Sequence, residues 1–402
     1  MILKDVPGWQ YPALGDICDV RDGTHDSPKY VEDGFPLITS KNLTEDGLCF
    51  EKVNYITRED HDAIEKRSAV SDGDILYGMI GTVGNPVIVK KDRDFSVKNV
   101  AIFKFLEESL IFNKYLFYVL SSDFVARQIS KESKGGTQKF VSLKVLRGLK
   151  IPLPPLETQK QIAAVLEKAD QLRKDCQQME QELNSLAQSV FIDMFGDPVT
   201  NPKNWEVKSL IDLLVSKPQI GTTTPSHDGG TQSVVRVGEL GKYEVNYKKC
   251  GPITLEGTAL EKYKLFEGDY LLARAIGSRD HLGKASLFVE QKGTYVYDSH
   301  VMRLRFNDDL MSSQFFYELM KTHGGRSLFL NSSAQTAVQF NINAKQISQI
   351  ELPVPPAELQ NDFLGKLNEI KNLLRLNSIN LAELNTNFDS LMQKAFKGEL
   401  DL

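Results

Sequence analysis

The sequence predicts an α+β chain laid out twice: a globular block of strands and helices, a long helix, a second block and a second long helix. Three observations predict it. Two stretches are apolar at a seven-residue period. Both are entered through the same proline-punctuated segment, Ile151-Pro152-Leu153-Pro154-Pro155 and Leu352-Pro353-Val354-Pro355-Pro356, at an offset of 201 (353 − 152). The landmarks of the block before the first stretch return in order before the second. Four segments follow: 1–150, 151–198, 199–350 and 351–402.

The first long helix is expected over residues 157–195. Ile162, Ala169, Cys176, Leu183 and Val190 form one apolar series, and Val165, Leu172, Met179 and Leu186 the other. Gln, Glu, Asp and Lys lie between, as on an a/d seam of a coiled-coil strand. Gly196-Asp197-Pro198 ends the helix, because proline cannot extend it. In the second helix Leu367, Leu374, Leu381 and Phe388 form one series, and Phe363, Ile370, Asn377, Leu384 and Leu391 the other. Neither helix buries its stripe alone, so each is expected to pack on its own copy. Asn377 is the one polar residue within the second seam. A buried amide there is expected to select register at a cost in stability, against the blander reading of tolerated exposure.

In the first block, strands are expected near 35–39, 75–77, 86–89 and 100–105, with helices over 111–120 and 124–130. Asp72-Gly73-Asp74 reads as a turn, and 78–84 and 134–139 as glycine-containing loops. In the second block Trp205 stands where Trp9 stood, and 209–213 answers 13–17. Likewise 234–240 answers 37–43, 267–272 answers 71–76, and 301–306 answers 100–105. A period of about 200 residues suits a whole domain plus a spacer, too long for a solenoid unit. A shared frame with divergent loops suggests two versions of one recognition device.

Net charge is −5, yet it is unevenly placed. Residues 151–200 carry 4 Lys+Arg against 8 Asp+Glu, and 351–402 carry 5 against 8. The blocks are near neutral or slightly basic, with 21 against 22 over 1–150 and 18 against 15 over 201–350. The acidity belongs to the helices, so local basic faces remain open to the blocks. No apolar run approaches the roughly 20 residues of a membrane span, and the N-terminus lacks a signal-peptide core, so a cytoplasmic protein is expected. Cys18, Cys49, Cys176 and Cys250 are scattered, which suggests neither zinc nor a disulfide framework.

Catalytic motifs are missing from the sequence. Residues 277–284 have the wrong spacing for a phosphate-cradling loop and lack its hydroxyl. Gly78, Gly81 and Gly84 lack the dinucleotide spacing. There is no nucleophile elbow. Asp280 with Glu290 and Lys292 has the loose look of a nuclease metal site, without a counterpart in the first block.

The entry segment Pro152-Leu153-Pro154-Pro155-Leu156-Glu157-x-Gln159-x-x-Ile162, closed by Phe195-Gly196-Asp197-Pro198 and repeated after a variable block, resembles the specificity subunit of type I restriction-modification systems. The C-terminal Ala395-Phe396-Lys397-Gly398-Glu399-Leu400 fits the same family. The resemblance runs from Trp9 to Leu400; residues 361–365 are more degenerate than 160–163. It implies two target-recognition domains of mixed α/β fold, each reading one half of a bipartite double-stranded DNA target. It implies that the helices form an antiparallel coiled coil, which relates the blocks by a pseudo-two-fold axis. It implies docking of two methyltransferase subunits and, through them, two motor-nuclease subunits. Those partners would hold S-adenosylmethionine, ATP and Mg, while this chain is non-catalytic and binds no cofactor. A helix of about 38 residues spans ~57 Å, more than the about 34 Å of one DNA turn, so the pair is expected to act as a ruler.

Base readers are expected to be amide, guanidinium or hydroxyl side chains on loops. The candidates in the first block are Arg21, Thr24, His25, Lys41, Asn42, Thr82, Lys98, Thr137, Gln138 and Lys139. In the second they are Thr222, Thr223, Thr224, Arg236, Arg274, Ser278, Arg279, His281, His300, Gln335 and Gln339. Lys98, Arg274 and Gln138 lead, because they flank positions that repeat. Each has the alternative of an ordinary solvated loop residue. Two competing functions stand beside this one: a self-contained metal-dependent nuclease using Asp280, Glu290 and Lys292, and a protein-binding assembly adaptor.

Overall fold

A computed structural model describes residues 6–105, 109–132, 140–276, 283–332, 334–335, 340–341 and 343–402. The chain divides into two compact units, residues 1–177 with 379–402, and residues 178–378. Each unit is therefore a globular block with half of each long helix.

The first unit carries a four-stranded antiparallel sheet in the order Asp19–Asp22, Val100–Lys104, Ile75–Gly78, Gly84–Ile88. A second sheet pairs Phe35–Ile38 antiparallel with Asn54–Ile56 and parallel with Ser96–Val97. The second unit repeats both. Its larger sheet runs Gln219–Ile220, Val301–Leu304, Tyr270–Ala273, Ala285–Leu287. Its smaller one pairs Gln232–Val235 antiparallel with Gly251–Ile253 and parallel with Tyr295–Tyr297. The central strands are mostly apolar because both faces are covered; Arg303 interrupts the second unit's strand, where it donates to Gln219 Oε1 and lies over the Tyr297 ring. Successive side chains point to opposite faces. Ile75, Tyr77, Ala101 and Phe103 join a core with the helices, while Leu76, Val100 and Ile102 join one with Ile38 and Val97. Tyr270, Leu272, Met302 and Leu304 divide from Leu271, Ala273 and Val301 in the same way.

The turn into one central strand repeats in detail. Gly73 and Gly268 have φ of 80° and 81°, which favours glycine. The aspartate after each is buried, accepts a bond from a backbone N–H three residues earlier, and pairs with a cation on the neighbouring strand. Asp74 takes Ser71 N and Lys104 Nζ at 2.8 and 2.6 Å. Asp269 takes Phe266 N at 2.8 Å and both Nε and Nη2 of Arg305 at 2.6 and 2.7 Å.

The long helices are Leu156–Phe195 and Ala357–Ala395. A glutamine near each N-terminus fastens it to its block. Gln159 Oε1 accepts Phe112 N at 2.8 Å, and its amide donates to Leu110 O and Pro154 O. Gln360 repeats this with Ser312 N, Leu310 O and Pro355 O. Both side chains are buried. The helices pack antiparallel. In the first unit Arg173 Nε donates to Asn385 at 2.8 Å and its guanidinium covers the Phe388 ring. In the second, Phe191 and Phe195 meet Phe363 at 5.3 and 5.5 Å between ring centroids, with Phe315 closing the cluster.

The seam corrects one expectation. On the second helix Phe363, Leu367, Ile370 and Phe388 are buried, and Leu374, Asn377, Leu381, Leu384 and Leu391 half-buried, as their spacing predicts. On the first helix Ile162 and Leu183 are buried, and Ala169, Cys176 and Val190 half-buried. The companion series is not. Val165, Leu172, Met179 and Leu186 are 37, 47, 48 and 46% exposed. At three of the four places the inward companion lies one residue later: Leu166 is buried and Arg173 and Ala187 are half-buried, while Glu180 is exposed like Met179. Positions i+3 and i+4 both flank a helical stripe. Apolar character favoured i+3 here, but the packing uses i+4, where Arg173 covers an aromatic ring.

Candidate nucleic-acid interface

In each unit one glycine pins a loop against the chain that crosses between the two sheets. A Cβ on Gly23 would stand 2.2 Å from Val97 O, and one on Gly221 2.3 Å from Tyr297 O. Only glycine permits such backbone approach. The next residue is threonine in both. Thr24 pairs parallel with Lys98, and Thr222 with Asp298. Each threonine Oγ1 accepts the backbone N–H two residues on, from Asp26 and from Thr224, both at 3.1 Å. A third strand end reaches the same point: Met79 N donates to Asn99 O, and Arg274 N to His300 O, at 3.3 and 3.1 Å.

This frame gathers candidates that are far apart in sequence. In the first unit Thr24, His25 and Lys98 come together, with Arg21 nearby. Lys98 Nζ donates to Ser27 Oγ at 2.6 Å, which ties it to the same loop. His25 is exposed and lies between Asn99 Oδ1 at 2.8 Å and Asp22 Oδ2 at 2.9 Å. Arg67 pairs with the other Asp22 oxygen. Burial opposes the charge on Asp22, yet the bonds from Arg67 and His25 hold its carboxyl below the usual range. The bond to Asn99, and after it that to Asp22, raise the pKa of His25 despite partial burial. Arg21 is half-exposed, with Nε on Asp19 and a bond to Arg67 O. Lys41 and Thr82 are exposed on two loops that Ser40 Oγ joins by donating to Ile80 O.

In the second unit Thr222, Thr223, Thr224, Arg236, Arg274 and His300 share the frame. Thr223 and Thr224 are exposed. The Arg236 guanidinium reaches Ser226 Oγ in the threonine loop. His300 Nδ1 lies 3.2 Å from Asp298 Oδ2. Arg274 Nε is buried without a hydrogen-bond partner among the described residues. A guanidinium is always charged, and an unmet buried N–H is costly.

Two candidates take structural roles instead. Asn42 is 5% exposed. Its Oδ1 accepts Thr39 N and Thr39 Oγ1, and its amide donates to Cys49 O and Lys52 O. Glu239 caps the matching turn by accepting Arg236 N. Thr222 is 4% exposed and serves the loop's own turn. Thr137, Gln138, Lys139, Ser278, Arg279, His281 and Gln339 lie outside the described residues, as does Asp280; Gln335 is described only as backbone, in the strand Ala334–Gln335. Glu290 and Lys292 are exposed. Among the described residues no group of three or more His, Cys, Asp or Glu could hold a metal ion, and no helix is long and apolar enough to cross a membrane. The sequence reading missed Asp22, Arg67, Asn99 and Asp298. Aligning Lys98-Asn99 with residues 298–300 across the repeat would have drawn attention to two of them.

Comparison with known proteins bears on the repeat. The type I restriction modification DNA specificity domain matches twice, over residues 7–185 and 202–386. The chain is 22% identical over 399 residues to the type I restriction enzyme EcoKI specificity subunit of Escherichia coli strain K12, covering 92% of this chain and 84% of that one. It is 22% identical over 395 residues to the StySPI specificity subunit of Salmonella potsdam, with the same coverage. The fold matches a solved chain from work on complex assembly and conformational transition of the type I R-M system. The TM-score is 0.61 at 19% identity, over 98% of this chain and 99% of that one. Two domain matches, one in each unit's block, account for the repeated frame, and the chain belongs to the type I restriction-modification specificity subunit family.

Proposed function

We propose that each globular block reads one half of a bipartite DNA target, and that the long helices set the spacing and dock methyltransferase subunits. The observation that carries this reading is the repeated glycine–threonine frame, which presents different polar side chains from the same points. Helices of 40 and 39 residues are each roughly 60 Å long at 1.5 Å per residue, against about 34 Å for one DNA turn. The exposed apolar residues support docking on the first helix. Val165 and Leu172 belong to the first unit, and Met179 and Leu186 to the second, which gives each unit a pair to offer one of two identical partners. In this reading the chain is a non-catalytic address label. Methylation and cleavage, with S-adenosylmethionine, ATP and Mg, belong to methyltransferase and motor-nuclease subunits.

The test is exchange of block 199–350 for that of a relative, followed by sequencing of DNA methylated by the assembled complex. One half of the methylated sequence is expected to change while the other stays. An unchanged target would overturn the assignment and favour a protein-binding adaptor.

A further inference from the structure

Asn99 holds an unusual position. It is the single residue between the strands Ser96–Val97 with Lys98 and Val100–Lys104, at φ 55° in the left-handed region. Asparagine tolerates that conformation better than most residues. Its backbone is fully used: N–H donates to Thr24 O at 3.1 Å, and C=O accepts Met79 N. Its side chain is directed by a charge relay. His25 Nδ1 faces Asn99 Oδ1 and His25 Nε2 faces Asp22 Oδ2. Both ring nitrogens face oxygens, and a ring that donates from both satisfies the two contacts. Arg67 occupies the other Asp22 oxygen, which fixes the far end of the relay. Asn99 Oδ1 is thus tied back. Its Nδ2 has no partner among the described residues, and the side chain is half-exposed at the loop frame.

The matching place in the second unit is built the other way. His300 gives its carbonyl to Arg274 N, as Asn99 does to Met79 N. His300 Nδ1 is turned to Asp298. Its side chain is 64% exposed.

We propose that Asn99 is a specificity-determining residue of the first block, acting as a donor-only reader of an acceptor on a base edge. Guanine O6 or N7, adenine N7 and thymine O4 are such acceptors in the major groove. His25 is its positioning residue. The inference rests on the reading that these loops face DNA.

The experiment uses the full chain assembled with its methyltransferase partner and a DNA library varied across both half-sites. Asn99→Gly keeps the left-handed backbone and removes the amide. Discrimination at one position of the first half-site is expected to fall about tenfold or more. Preference in the second half-site should be unchanged, which also shows that the complex has assembled. Asn99→Asp replaces donors by acceptors, and the preferred base at that position is expected to shift to one offering a donor, cytosine N4 or adenine N6. His25→Phe should weaken discrimination at the same position while Asn99 is intact. A uniform loss of methylation with every base preference retained would overturn the proposal and leave Asn99 a structural residue. Exchanging block 1–150 in parallel separates the two levels. If that exchange alters the first half-site and Asn99→Gly does not, the reader assignment alone fails. If neither alters it, the DNA-reading assignment of the block fails with it.

Discussion

Asp74 with Lys104 in the first unit, and Asp269 with Arg305 in the second, hold the same corner of the same sheet. A short way along the chain the likeness ends. Lys98 of the first unit stands where the second has Asp298, and Asn99 where it has His300. The difference has a physical ground. Removing one partner of a buried pair leaves an uncompensated charge at about 3–5 kcal/mol, whereas an exposed substitution usually moves stability by less than about 0.5 kcal/mol. A duplicated domain can therefore diverge at its loop tips while its corners stay fixed. The parts that repeat are the ones that fold, and those that differ face outward.

Breaking a shared corner should give the largest effect on stability. Asp269→Ala is expected to cost about 3–5 kcal/mol, because Arg305 loses both of its bonds. Asp74→Ala should cost less, since Lys104 Nζ keeps Ala69 O and Ser71 Oγ. The two tryptophans, Trp9 in one unit and Trp205 in the other, give separate probes. Denaturant unfolding of Trp9→Phe and Trp205→Phe backgrounds should place each loss in its own unit. Equal losses from both substitutions would blur the distinction between bidentate and single pairing.

The glutamine fasteners should come next. Gln159→Ala leaves one buried N–H and two carbonyls without that partner, and Gln360→Ala does the same. Each is expected to cost about 2 kcal/mol. Because the two environments match, the losses should agree within about 0.5 kcal/mol. A clear inequality would show that the fasteners differ in ways their shared bonding does not reveal.

The frame was more legible than the site. Heptad spacing, the Pro-Pro entry and the Gly-Asp-Pro stop located the first long helix to within a residue, and the heptad series alone marked the second, since a long periodic run leaves few alternatives. The repeat set 267–272 against 71–76, and the structure brings it into step by one residue, with Asp269 answering Asp74. Asn42 was read as a loop amide because nothing local distinguishes an exposed amide from one folded back on Cys49 and Lys52. Asn99 was passed over for a related reason. Its importance comes from His25 and Asp22, more than seventy residues earlier, and the residues themselves give no sign of that approach.

The outer face of the first long helix offers the smallest expected effect on stability, in sharp contrast to its inner face. Leu166 and Leu172 are both leucines on one helix, yet one is buried and the other 47% exposed. Leu166→Ala removes side-chain packing from a filled core and is expected to cost about 2–5 kcal/mol. Leu172→Gln exchanges exposed apolar surface for a good helix former, so the isolated chain should change by less than about 0.5 kcal/mol. If the outer series receives the methyltransferase, the same substitution, and Met179→Gln in the other unit, should weaken assembly at unchanged stability. Titration of the purified chain with the methyltransferase subunit reads that loss. A large destabilisation by Leu172→Gln would restore the i+3 seam that the sequence suggested. Unchanged stability with unchanged assembly would keep the i+4 seam and move the docking surface off this face.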